Sequence, residues 1–168
     1  EPATILFFGA ARLHKGLEYL VRAQPIVSSR VPSARILISS RGEELQRCRQ
    51  MIVDGSKFEI HEDYISVEGM ADLFQRASLV VLPYLSASTS GVLMIAYSFG
   101  KPVVATKVGC LPEYVQDHVT GLLVDPANVE QLAEAIICLL TDDSLRHRMG
   151  ENARKWVLAK NKDVARQT

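Results

Sequence analysis

Cysteine is scarce in this chain. Cys48, Cys110 and Cys138 are odd in number, far apart and without CxxC spacing, a pattern that argues against a disulfide framework and against a zinc site. Such usage suits a reducing compartment, so the expected location is cytoplasmic. His14, His61, His118 and His147 are equally dispersed, and no metal site is expected. Excess charge of one sign is missing too, with 19 Lys and Arg facing 19 Asp and Glu. General polyanion binding needs clustered positive charge. Nucleic acid is therefore not an expected partner, although a local basic pocket stays open. No apolar run nears the roughly 20 residues of a membrane span. Internal repeats, low-complexity linkers and the GxxxxGK(S/T) phosphate loop are also absent.

What is present is an ordinary α/β composition, 48% hydrophobic and 7% aromatic, over 168 residues. That length suits one domain with a substantial core. The opening, EPATILFF, enters a strand with no basic leader or cleavage pattern. So abrupt a start is expected of a piece cut from a longer protein.

ATILFFG (3 to 9) and ARILISS (34 to 40) are continuous apolar runs, the mark of strands buried on both faces. Between them KGLEYLVRAQPIVSSRVP spaces Leu17, Leu20, Val21, Ile26 and Val27 as a helix, interrupted at Pro25 and stopped by Pro32. Gly42 precedes a helical EELQRCRQMIV, KFEIHEDYI carries a short third strand, and EGMADLFQRA puts Met70, Leu73 and Phe74 on one helix face. SLVVLPY is a fourth strand closed by Pro83, followed by a helix over 90 to 99 and the strand PVVAT (102 to 106). LPEYVQD reads as a short helix, TGLLV as the last strand, and NVEQLAEAIICLL as a helix introduced by Asn128 or Asp125. A charged helical tail follows over about 142–168. Strands separated by single helices require crossovers and a parallel sheet covered on both faces. The expected fold is α/β, one doubly wound parallel sheet of about six strands with a C-terminal helical tail, spanning 1–168.

Such sheets bind ligands at the carboxyl ends of their strands. The first strand-end loop, GAARLHKG, frames Arg12 and Lys15 between glycines. These cations either meet a phosphate or remain solvated. LPYLSASTSGVLMIAYSFG leads Ser86, Ser88, Thr89, Ser90 and Gly91 into a helix. A helix starting near Ser90 leaves its first amides unpaired and concentrates about half a positive charge there, an anion site without a basic side chain. Gly91 admits close approach to the main chain, and Ser90 is alternatively a plain N-cap. Glu113 either caps its helix or touches ligand. Glu43 and Glu44 complement a helix dipole, His14 reads as a solvated loop residue, and Met70, Met94 and Met149 read as core.

FFGAARLHKGLEYLVRA, LFQRASLVVLPY, SGVLMIAYSFGKPVVATKVGCLPEYVQDHVTGLLVDP and VEQLAEAIICLL together resemble the carboxy-terminal, donor-binding half of a group-1 (family 4-like) GT-B glycosyltransferase. The resemblance runs from about residue 4 to 155 and is most specific around Gly100, Pro102, Gly109, Pro112, Glu113 and Gly121. It implies a Rossmann-like half of a GT-B fold and retaining transfer of a hexosyl group from a UDP- or GDP-sugar. It also implies an amino-terminal acceptor domain, absent from this chain, as partner. Matching the motif assigns donor phosphate binding to Lys15, Arg12, Ser90, Gly91 and Val92. Gly9, Tyr64, Ile65, Ser88 and Thr89 fall near the nucleobase and sugar. No catalytic base, cofactor or metal is implied within these residues, so the isolated domain is expected to be inactive alone. The sequence departs from the family at Ala10, where an arginine is usual, and at Ala87 and Ile95, where glutamates are usual. An apolar residue at the second of those glutamate positions, after an SGVL turn, also resembles one branch of the family. A catalytically silent GT-B-like binding or scaffolding module is the alternative these departures raise. A sugar-nucleotide epimerase of the same architecture matches the first loop and the SGVL turn less well. The charged tail from Arg146 to Lys162 is a candidate for packing on the missing half or for peripheral membrane contact of the full-length enzyme.

Overall fold

The apolar runs become strands with no solvent-facing side. A computed structural model describes residues 3–167, in which β1 (Thr4–Phe8), β2 (Arg35–Ser39), β3 (Phe58–His61), β4 (Leu79–Leu82), β5 (Val103–Thr106) and β6 (Gly121–Val124) form one sheet. The order is β3-β2-β1-β4-β5-β6 and every pairing is parallel. Alternate residues feed two separate cores. Ile5, Phe7, Ile36, Ile38, Leu79 and Val81 enter one, while Leu6, Leu37, Val80 and Leu82 enter the other. A strand whose two faces are both buried is apolar on both, so β1, β2 and β4 do not alternate, whereas the edge strand β3 does, with Phe58 and Ile60 on the first core and Glu59 and His61 half-exposed.

Helices α1 (Leu17–Arg30), α2 (Glu43–Arg49) and α6 (Val129–Thr141) contribute to the first core. Helices α3 (Val67–Arg76), α4 (Gly91–Ser98), the short α5 (Leu111–Tyr114) and α7 (Asp143–Gln167) contribute to the second. Asn128 caps α6, its side chain accepting from the Gln131 amide at 2.9 Å, whereas Asp125 accepts from the Gln131 side chain at 3.0 Å instead. The tail begins as the sequence suggests, with the Asp142 carboxylate accepting from the Leu145 amide at 2.9 Å. It packs on α4, with Ala153 and Val157 in the second core and Met149 in the first, and from residue 158 onward every described residue is exposed. Trp156 stands edge-on to Tyr97 and Tyr114. No helix among the described residues is long and apolar enough to cross a membrane.

Three expectations are corrected. Pro25 does not interrupt α1, which runs through it. The ring lies on the exposed face, and packing of the opposite face in the first core and against α6 outweighs the lost amide bond. The stretch from Glu43 is helical only to Arg49, because the Met51 and Ile52 amides turn back to the Cys48 and Arg49 carbonyls at 3.0 and 3.2 Å. Helix α5 stops at Tyr114 rather than continuing through Asp117. The Gln116 amide goes to the Thr120 hydroxyl at 3.0 Å and the Asp117 carboxylate accepts from the Leu123 amide at 3.0 Å, which pulls the chain into a turn.

Candidate functional site

In an all-parallel sheet the two strands flanking the point where chain order reverses send their helices to opposite faces, leaving a crevice at their carboxyl ends. Here those strands are β1 and β4. The loop leaving β1 turns at Gly9, whose φ of 118° favours glycine. Its amide donates to the Ser39 carbonyl at 3.0 Å, and the Ser40 hydroxyl donates to the Gly9 carbonyl. After one tight turn over Leu13–Lys15 the chain reaches Gly16. A Cβ there would lie 1.8 Å from the Pro83 carbonyl oxygen, so only glycine lets this loop press against the exit of β4. The Leu85 amide donates to the His14 carbonyl at 2.8 Å and completes the contact.

This clamp sets Lys15. Its ammonium sits 4.2 Å from the centroid of the Tyr84 ring. Burial lowers its pKa below the usual lysine value, and the neighbouring Arg12 charge lowers it further. Arg12 itself is exposed.

Across the crevice, residues 85–89 lead into α4. Gly109 has a Cβ position 1.7 Å from the Ala87 carbonyl oxygen, so this hydroxyl-rich segment is held by close backbone contact. Ser90 is the N-cap of α4, and its hydroxyl accepts from the Leu93 amide at 3.2 Å. The amides of Gly91 and Val92 have no protein partner among the described residues. A Cβ on Gly91 would meet no heavy atom within 4 Å, so open space lies before this turn.

His14, Lys15, Ser86, Ala87, Ser88 and Thr89 line a cleft of about 480 Å³. Beside it lies a cavity of about 230 Å³ lined by Phe8 to Ala10, Ser39 to Arg41 and Glu62 to Ile65. The structure thus brings Lys15, Ser88 and Thr89 to one cleft, with Ser90, Gly91 and Val92 at the helix start that follows Thr89. Val92 also stands beside the first loop, its Cγ2 being 3.7 Å from the Cβ position of Gly9. Gly9, Tyr64 and Ile65 line the second cavity, where Tyr64 remains 82% exposed. Ala10 sits at the same cavity, while Ala87 and Ile95 pack against the second core. Sequence reasoning missed Ser40 and Arg41. Their signal was a hydroxyl pair and a cation at the end of a buried strand, ISSRG, in the same position relative to β2 as the first loop is to β1. His14 is an exposed loop residue, as expected, and stands at the rim of the cleft.

The crevice thus carries an ammonium on one wall, while the amides of Gly91 and Val92, without a protein partner among the described residues, lie where the other wall enters α4. Among the described residues no group of three or more His, Cys, Asp or Glu side chains gathers as a metal cage. The Glu62 carboxylate is held below the usual carboxylate range by hydrogen bonds from Arg49 and Gln46.

These features define a Rossmann-like α/β domain with a crevice at its switch point. A family model described as "Glycosyl transferases group 1" matches residues 2–142, and the chain belongs to that family. Among curated relatives it is 29% identical over 172 residues to an uncharacterised glycosyltransferase of Methanocaldococcus jannaschii, covering 100% of this chain and 44% of the relative. It is 28% identical to the GDP-mannose-dependent alpha-(1-6)-phosphatidylinositol monomannoside mannosyltransferase of Mycobacterium tuberculosis, covering 95% and 44%. Among solved structures, sucrose-phosphate synthase from Thermosynechococcus elongatus superposes with a TM-score of 0.83 at 27% identity, covering 99% of this chain and 45% of that one. The chain spans less than half the length of each of these proteins, and its GT-B architecture is that of their carboxy-terminal part.

Proposed function

We propose that this chain is the donor-binding half of a retaining glycosyltransferase that transfers a hexosyl group from a UDP- or GDP-sugar. The acceptor is held by an amino-terminal GT-B domain. The observation that carries the reading is the pairing of the Lys15 ammonium, on one wall of the crevice, with the two partnerless amides of Gly91 and Val92 where the other wall enters α4. In this reading the nucleobase enters the cavity beside Gly9, Tyr64 and Ile65, and the sugar lies near Ser88 and Thr89. As the bond to the sugar breaks, charge accumulates on the departing diphosphate, and fixed donors aimed at that charge stabilise the transition state more than the ground state. Arg12 adds long-range positive potential from its exposed position. Acceptor chemistry belongs to the other half, so this half alone turns over no donor.

The test is calorimetric titration of UDP and GDP into the full-length protein and its Lys15→Ala variant. A charge-assisted contact contributes about 1.5–3 kcal/mol, so the variant is expected to bind about tenfold to a hundredfold more weakly. Absence of binding by either nucleotide, together with an inert full-length protein, would support the silent scaffolding module instead, for which Ala10 at the second cavity and the packed Ala87 and Ile95 speak.

A further inference from the structure

Tyr84 is a tyrosine where packing alone asks only for an apolar residue. It follows β4, is 1% exposed and belongs to the second core. Both its chain neighbours are tied to the loop that carries Lys15, Pro83 through the close approach of Gly16 and Leu85 through its bond to His14. Its own carbonyl accepts from the Thr106 hydroxyl at 2.6 Å, which fixes the backbone to β5. On this anchored frame the ring face lies 4.2 Å beneath the Lys15 ammonium. Burial raises the phenol pKa, and the Ser90 side chain works against that rise. Ser90 in turn caps α4.

We propose that Tyr84 is the positioning residue of the phosphate crevice: its ring, fixed by a backbone tied to β5 and to the first loop, holds the Lys15 ammonium in place for the donor diphosphate. The proposal rests on the donor-site reading above. A lysine side chain has four rotatable bonds and, in a loop, loses much freedom when it is fixed on a ligand. A ring face that already holds the ammonium removes part of that loss before the ligand arrives. The ring also favours the charged form of an amine that burial disfavours.

The experiment uses the full-length protein, with UDP and GDP as probes and calorimetric Kd as the readout. Tyr84→Leu, which removes the ring, is expected to weaken binding about fivefold. Tyr84→Phe, which keeps the ring face, is expected to bind within about twofold of the wild type. In a Lys15→Ala background the leucine substitution should add no further loss, because the residue acts through Lys15. An equal loss in both backgrounds, or a phenylalanine variant as weak as the leucine one, overturns the proposal. Should Tyr84→Leu fail to fold, the wild type provides the readout. Carbon-13 dimethylation of its lysines should give Lys15 methyl resonances shifted upfield of the other lysines by the ring face, assigned with Lys15→Arg, and no upfield shift overturns the proposal. If neither nucleotide binds the wild type, the donor-site reading falls and takes this proposal with it. If both bind and Lys15→Ala weakens them while the Tyr84 results go the other way, only the positioning role falls.

Discussion

Gly91 offers a perturbation that separates ligand binding from folding. It is the first residue of α4, it is exposed, and its absent Cβ points into space with no heavy atom within 4 Å. Its φ lies outside the left-handed range, so larger residues fit the backbone without strain. Replacing glycine at a compatible site narrows the unfolded ensemble and stabilises by about 0.4–1 kcal/mol for alanine, which for a domain of this size moves Tm up by roughly 1 to 4 °C. Binding should respond in the opposite direction. A side chain here stands before the amides of Gly91 and Val92, and displacing an anion from one of them forfeits about 1.5–3 kcal/mol, or about tenfold to a hundredfold in Kd. The expected series is therefore wild type, then Gly91→Ala, then Gly91→Val in order of weakening UDP or GDP affinity, with Tm unchanged or raised throughout. Calorimetric titration and thermal unfolding of the full-length protein measure both. A valine variant that folds as stably as the wild type and binds nucleotide as tightly refutes the claim that these amides hold the diphosphate.

Two further expectations follow from the same geometry. Burial and Arg12 lower the Lys15 pKa below 10.5 in the free protein, and a bound diphosphate favours the protonated amine, so nucleotide affinity should fall as pH rises through that lowered value. In Lys15→Arg the fall should disappear, and identical Kd profiles in the two proteins would exclude Lys15 as the titrating group. Away from the crevice, the buried Tyr97 hydroxyl lies 2.7 Å from the Thr120 hydroxyl, which also accepts from the Gln116 amide at 3.0 Å. Thr120→Val strands that amide and weakens a phenol whose pKa burial already pushes up to about 12. A destabilisation of about 1–3 kcal/mol, seen as a lower Tm and recovered in Thr120→Ser, is expected; a valine variant with wild-type Tm would show that the network contributes nothing.

The strands were legible because burial on both faces writes itself locally, as the unbroken apolar runs around Ile5, Leu37 and Val80. Gly42, Asn128 and Asp142 likewise announced the helices they precede, since a start or a cap concerns only the next few residues. Pro25 misled because its cost is local while the packing that outweighs it, α1 against α6, joins distant segments. The end of α5 misled for the same reason, being set by Thr120 and Leu123.

At the candidate site the division is similar. Sequence alone determined which residue types stand at the strand ends, including the glycines of the first loop, Lys15 and the turn into α4, because each is the chemistry of one short stretch. Only the tertiary structure decided that Gly16 meets Pro83, that Gly109 meets Ala87 and that the Lys15 ammonium rests on Tyr84. The first and third of those contacts join residues brought together by the reversal of strand order between β1 and β4, the second joins the exits of β4 and β5, and no local pattern encodes a distance between strand ends.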